Sequence, residues 1–374
     1  MTPLGHIRLL DLSRQLPGPF CSTLLGDLGM DVLVVGAPND PFGTGIPFLA
    51  RNKRSMTLNL KSDSGREIFL RLVAEADVVL EGFRPGVMDR LGVGWETLRA
   101  TNPRLVYCGI TGYGQDGPYR DRVGHDVNYL GYAGVLGFIG EPDGRPVIPG
   151  VQIADLGGGA LMAAVGILSA LIAREKTGRG QLVDVAMMDG AVAWNAYPLL
   201  LHILARGVPG AGGTQLTGQH PCYAVYETRD GRYVTIGAYE DHFWAELCRR
   251  LGREDFIPHQ WDTGEKREEM FAFFRSAFRE RTLTEWRREL EEAPICFGPV
   301  NRIEEMIADP QVRHRGMIVG EGDGLMPAPP IRLSDTPASI RTAPARFGEH
   351  TEEVLRGLGF AEEQIAALRA AGAV

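Results

Sequence analysis

A histidine and an aspartate, thirty positions apart, are the residues best placed to do chemistry in this chain. His125 lies in Gly124-His125-Asp126-Val127-Asn128-Tyr129-Leu130, and Asp155 in Ile153-Ala154-Asp155-Leu156-Gly157-Gly158-Gly159. Imidazole and carboxylate are common proton carriers near neutral pH. If the fold brings them to opposite sides of one pocket, two bases face one substrate carbon. One then removes a proton from one face and the other returns a proton to the opposite face. Each residue also has a plainer reading. His125 suits a helix N-terminus or a satisfied core position. Asp155 suits an N-cap that accepts amide hydrogens from the following helix. Such donors would lower its pKa and weaken it as a base, so catalysis there requires a compensating apolar setting. Glu240, in Gly237-Ala238-Tyr239-Glu240-Asp241-His242, reads either as the orienting partner of a histidine or as a solvated or helix-capping acid.

The elements that must position these groups alternate in type. Residues 6–11 read as a strand, Pro17–Leu28 as a helix stopped by Gly29, and Asp31–Val35 as a second strand. A helix over Ser64–Ala74, a strand over Val78–Leu80, helices over Pro85–Leu91 and Trp95–Thr101, and a strand over Leu105–Thr111 continue the pattern. A long helix over Leu156–Glu175 and a strand over Gln181–Ala186 follow. Short apolar strands between helices imply a parallel sheet covered on both faces. From about Tyr197 the composition shifts. Ala205–Gln219 reads as a linker or ordered loop. A hairpin, Tyr223–Thr228 with Arg232–Gly237, precedes helices at Asp241–Leu251, Lys266–Arg281 and Leu283–Glu292. The expected division is 1–196 as a large Rossmann-like domain, 197–220 as a linker, 221–315 as a smaller α+β domain, and 316–374 as a linker with C-terminal helices that return to the large domain.

Composition excludes several classes. The net charge is −8, and no basic block tracks a phosphate backbone, so nucleic acid is not an expected partner. The local cluster Arg51-Asn52-Lys53-Arg54 suits either a solvated turn or one small polyanion. Glycine is abundant, 48 of 374 residues against about 7% in average usage, which suits tight turns and close backbone approaches. The five cysteines have no CxxC spacing, so a reducing compartment is expected and no disulfide framework or zinc site. Met1-Thr2-Pro3-Leu4 shows no secretory signal pattern, and the apolar run at Leu161–Ala173 is short for a bilayer. A cytoplasmic protein without a membrane partner is the expectation. The first βα turn, Ser13 to Pro19, lacks GxGxxG, and the second strand ends in Gly36-Ala37 rather than an acid. Both omissions argue against NAD or FAD.

Taken together, the stretches resemble the family III CoA-transferase superfamily, and within it the α-methylacyl-CoA racemase branch. The landmarks are Leu9–Ser13, Arg51–Lys61, Glu81-Gly82-Phe83-Arg84-Pro85-Gly86, Thr111–Tyr119, the His125 segment and the Asp155 segment. The resemblance implies an α/β fold, with a Rossmann-like large domain and a smaller α+β domain, in an interlocked homodimer acting on acyl-CoA. It implies His125 and Asp155 as the acid/base pair, supported by Glu240. It also implies contacts to the CoA moiety from Arg51, Leu58, Lys61, Glu81, Gly82, Arg84, Arg90, Gly124, Asp126 and Tyr129. No metal and no cofactor beyond that moiety is expected. The reaction implied is racemisation of 2-methylacyl-CoA thioesters through an enolate. The alternative is transfer of CoA between carboxylic acids through an aspartyl-CoA anhydride at Asp155. Enolate formation requires a stabilised oxygen, and Gly157-Gly158-Gly159 are expected to allow close backbone approach there. The segment Gly36-Ala37-Pro38 departs from the family, which usually has a charged residue there. The load for the 3′-phosphate is then expected on Arg51 or Lys53. Met187, Met188, Trp194, Tyr197 and Leu199–Leu201 suit either an acyl channel or ordinary core.

Overall fold

The computed structural model describes residues 2–40, 43, 45–141, 144–205 and 210–374. The chain divides into two units. The first comprises Met1–Val135, Pro149–Asn195 and Gly316–Val374; the second comprises Leu136–Ile148 and Ala196–Arg315.

In the first unit the main sheet has six strands: β1 (Arg8–Asp11), β2 (Asp31–Gly36), β3 (Lys53–Thr57), β4 (Val78–Glu81), β5 (Val106–Thr111) and β6 (Leu182–Ala186). Their order is β3-β2-β1-β4-β5-β6, and every pairing is parallel. The strand order reverses between β1 and β4, so a ligand crevice belongs at the carboxyl ends of those strands. All residues of β4 and β5 are buried, as helices on both faces require. Local stops work as the residue types dictate. Helix Pro17–Asp27 starts on proline. It ends in a Schellman pattern, with Gly29 at φ 116° and the Met30 amide bonded to Leu25 O at 3.1 Å; a left-handed φ at this site favours glycine. Ser62 caps helix Asp63–Ala74 by accepting from the Gly65 amide at 3.1 Å.

Strand β3 corrects the reading of Arg51–Arg54 as a solvated turn. Lys53 is buried, its Nζ donating to Pro19 O at 2.9 Å and Ser22 Oγ at 2.7 Å. It lies 3.7 Å from an Asp11 carboxylate oxygen. Burial pushes its pKa down to about 8, against the pull of Asp11. The outer edge of β3 is closed by the C-terminal segment. The His350 amide bonds to Ser55 O at 2.8 Å, and the Thr57 amide to Thr351 Oγ1 at 3.0 Å. An exposed strand edge is an aggregation liability, and this cover removes it.

The long helix expected over Leu156–Glu175 is two elements, a π-helix at Ala154–Leu161 and an α-helix at Met162–Thr177. By length and composition Ala154–Thr177 is apolar enough to cross a membrane. In this unit Ala154, Gly157, Gly158, Gly159, Ala160, Ala163 and Ile167 are buried, and the helix packs on β5 and β6.

The second unit holds an antiparallel sheet of β7 (Tyr223–Glu227), β8 (Tyr233–Gly237) and β9 (Phe297–Pro299), in that order. The expected hairpin turn falls at Gly231, φ 67°. Helices Asp241–Arg250, Gly264–Phe278 and Leu283–Leu290 enclose a core of Tyr226, Trp244, Phe256, Phe274, Phe278 and Trp286. Residues 197–220, expected as a linker, begin inside a helix, Ala196–Ala205. Within that stretch, residues 206–209 lie outside the described residues.

Candidate active site

His125 occupies the N-cap of helix Asp126–Tyr132 with extended backbone, φ −130°. The Asn128 side chain reaches back and accepts from the His125 amide at 3.0 Å. This satisfies one of the amides a helix start leaves free and fixes the residue. His125 itself is exposed.

Asp126 then reaches to the next helix. Its Oδ1 accepts from the Ala154 amide at 2.7 Å and from the Asp155 amide at 3.0 Å. The capping work considered for Asp155 is done by Asp126. Asp155 lies in the first turn, after the N-cap Ile153, and is half-buried. Burial raises its pKa to about 6; the Asp126 charge adds to the rise and His125 opposes it. Burial thus moves the carboxyl toward neutrality, the range in which acid/base groups work.

Tyrosines wall this region. Tyr113 meets Tyr119, Tyr129 and Tyr132 edge-on, with centroids 5.2–5.7 Å apart. The Arg122 guanidinium lies 3.8 Å from the Tyr119 ring centre and donates to Tyr132 Oη at 2.6 Å. Tyr129 Oη donates to Gly124 O at 2.5 Å. A Cβ at Gly124 would sit 2.8 Å from both Tyr113 Oη and the Tyr129 ring, so this packing requires glycine beside His125. Sequence reasoning missed the wall; the signal was four tyrosines within twenty residues of one histidine.

The three glycines after Asp155 are occupied otherwise than expected. A Cβ on Gly157 would lie 2.0 Å from the Trp194 ring, one on Gly158 2.5 Å from Met187 O, and one on Gly159 2.8 Å from the Met187 side chain. Their open faces receive residues 187–194 rather than a substrate oxygen. Met187 is thus core, while Trp194 is 49% exposed. Tyr197 and Leu199–Leu201 belong to a helix of the second unit.

The residues expected around the CoA moiety separate by strand end. Glu81 ends β4 and Gly82 and Arg84 follow it at the switch point, and a Cβ on Gly82 would lie 3.6 Å from that of Ser13 after β1. Glu81 itself points inward. It accepts from the Phe83 amide at 2.6 Å, and burial pushes its pKa up to about 7. It holds the turn, and Gly82, Arg84 and Arg90 are exposed. Leu58 is buried after β3 and Lys61 is exposed. Arg51 precedes β3, at the amino end. It is buried, with Nε and Nη2 on Asp27 at 3.0 and 2.7 Å and Nη1 on Pro327 O at 2.7 Å. Arg51 and Lys53 are thus both committed to internal partners. Gly36 lacks a side chain for a local reason: a Cβ there would lie 2.5 Å from the Phe347 ring.

In the second unit Glu240 is the N-cap of helix Asp241–Arg250 through its backbone. Its carbonyl accepts from the Phe243 and Trp244 amides at 3.0 and 3.1 Å, and its side chain makes no cap bond. The carboxylate is exposed and lines a small cleft with Gln215, Tyr239 and Trp261. The buried Gln260 steadies this mounting, its Nε2 donating to Tyr239 O at 2.7 Å and Ala238 O at 3.2 Å.

The CoA-transferase family III model matches residues 4–351. The chain is similar to an α-methylacyl-CoA racemase of Mus musculus, 39% identical over 97% of this chain and 95% of that protein. It is also similar to the succinyl-CoA–L-malate CoA-transferase β subunit of Chloroflexus aurantiacus, 34% identical over 98% and 97% of the two chains. A solved CAIB/BAIF family protein from Brucella suis superposes with a TM-score of 0.83 at 32% identity, covering 96% of this chain and 99% of that one. The chain belongs to CoA-transferase family III, whose members here include racemases and CoA-transferases alike.

Proposed function

We propose that the protein racemises 2-methylacyl-CoA thioesters by moving the α-proton through an enolate, with His125 and Asp155 as the two bases. The observation that carries this reading is the state of Asp155. Its helix amides are taken by Asp126, and burial raises it to about 6 beside His125. A carboxyl that exchanges protons near neutrality suits proton transfer, whereas a nucleophilic aspartate must be ionised to attack. The racemase relative at 39% identity supports the same reading. In it Glu240 orients the His125 imidazole, and Gly82, Arg84, Arg90, Lys61 and the Gly124–Tyr129 segment receive the CoA moiety. The exposed apolar side chains Leu161, Met162, Val165 and Ile172, at the end of the π-helix and along the α-helix after it, suit a homodimer in which they are covered. A cytoplasmic enzyme is the setting proposed.

The second reading is CoA transfer through an anhydride at Asp155, favoured by the similarity to the malate CoA-transferase. One experiment separates the two. The protein is incubated with a single-enantiomer 2-methylacyl-CoA in deuterated water without a carboxylate acceptor. Deuterium at C2 with loss of chirality supports the racemase. No exchange, with CoA transfer once succinate is added, reassigns Asp155 as a nucleophile.

A further inference from the structure

The second unit contains a cleft of about 970 Å³, the size of a small-molecule site. Its floor is sheet: Tyr223 on β7, Thr235 on β8 and Phe297 on β9. Its wall is helix Gly264–Phe278, from which Arg267, Phe271 and Arg275 all line the cleft. Their spacing of four places them on one helical face. Leu216 adds an apolar side chain to the lining.

The charges in the lining are not equivalent. Arg267 is bound through Nε and Nη2 to Glu268 at 3.1 and 3.0 Å. Glu141 and Glu268 also line the cleft. Arg275 lies 4.9 Å from the Phe271 ring centre and, among the described residues, has neither a hydrogen bond nor an ion pair. A guanidinium rested on an aromatic face keeps its planar fork of donors open, and that fork matches a carboxylate.

We propose that this cleft binds a medium-chain carboxylate. The carboxylate pairs with Arg275, and the chain lies against Leu216, Tyr223, Phe271 and Phe297. The lining includes neither His125 nor Asp155 nor the residues assigned to the CoA moiety, so the inference stands apart from the reaction proposed above.

The cleft carries its own reporter. Cys296 lines it and is exposed, whereas the other four cysteines are buried. The full chain is alkylated with N-ethylmaleimide in the presence of octanoate or 1-octanol, and modification at Cys296 is followed by mass spectrometry. Octanoate is expected to slow alkylation of Cys296, and 1-octanol to do so far less. In Arg275→Gln the octanoate concentration for half-protection should rise about tenfold or more, the value of a charged hydrogen bond. Arg275→Lys should fall between the two. The Arg275 side chain makes no polar bond, so the variants fold, and circular dichroism verifies this. Equal protection of wild type and Arg275→Gln overturns the proposal, as does equal protection by 1-octanol. A Cys296 that does not react even without ligand also overturns it, because the cleft is then closed.

Discussion

Asp126 holds the backbone from which Asp155 projects. One Asp126 oxygen takes the Ala154 and Asp155 amides at 2.7 and 3.0 Å, and the same charge helps to raise the Asp155 pKa. One carboxylate therefore both anchors and tunes the other, while its chain neighbour His125 opposes the tuning.

Asp126→Asn keeps an oxygen for the two amides and removes the charge. The acid limb of α-proton exchange, set by Asp155 near pH 6, should move to lower pH. An unmoved limb in the exchange-rate profile would show that the Asp126 charge does not reach Asp155.

Stability should carry the same signature. Asp155 titrates at about 6 when folded and at about 3.9 when unfolded. Between those values the folded chain keeps a proton that the unfolded chain has released. Stability therefore falls as pH rises through this window, and the full penalty stands above it. Asp155→Asn removes the penalty. Its Tm gain over wild type should be larger at about pH 7.5 than at about pH 4, as read by calorimetry; a pH-independent difference contradicts the raised value.

His125→Ala should abolish or greatly reduce deuterium exchange while CoA binding, measured by calorimetry, stays largely intact. Glu240→Gln should be milder, because an orienting group leaves the base itself in place. Full exchange by His125→Ala removes it from the mechanism, and an equally severe Glu240→Gln gives Glu240 a larger part than orientation.

Two glycines of one contact should respond differently. A Cβ on Gly190 would lie 2.3 Å from Gly158 O and 2.4 Å from Gly158 Cα, with backbone on both sides and nowhere to move. Gly190→Ala should cost about 1–3 kcal/mol in urea unfolding. At Gly157 the obstacle is the ring of Trp194, which is 49% exposed and free to swing aside. Gly157→Ala should cost less, and the reverse order would mean that the packing of residues 187–194 has been misjudged.

The sheet was legible where strands were apolar and helices ended on their usual residues. Helix Trp95–Thr101 fell on its expected bounds, and the β7–β8 hairpin formed around its glycine turn. Strand β3 was not legible, because its sequence, Lys-Arg-Ser-Met-Thr, reads as surface. Its lysine is buried only because Asp11 and Ser22 meet it from more than thirty residues away. The same limit hid the role of Asp126. His125 and Asp155 stand out as residue types, but what frees and tunes Asp155 is a side chain twenty-nine positions earlier. Strand β9 is three residues with glycine and proline, too short and too broken to show a period. That residues 136–148 group with 196–315 is likewise displayed by no local pattern.

The cover on β3 also sets an order of events. Asn52 Oδ1 accepts from the Arg341 and Thr342 amides, 289 and 290 residues later. At about 5–20 residues per second, a ribosome needs roughly 15–60 s between these partners. During that time the nascent sheet has an open edge. A cell making this chain must therefore keep the first half from pairing with its neighbours until the last sixty residues emerge.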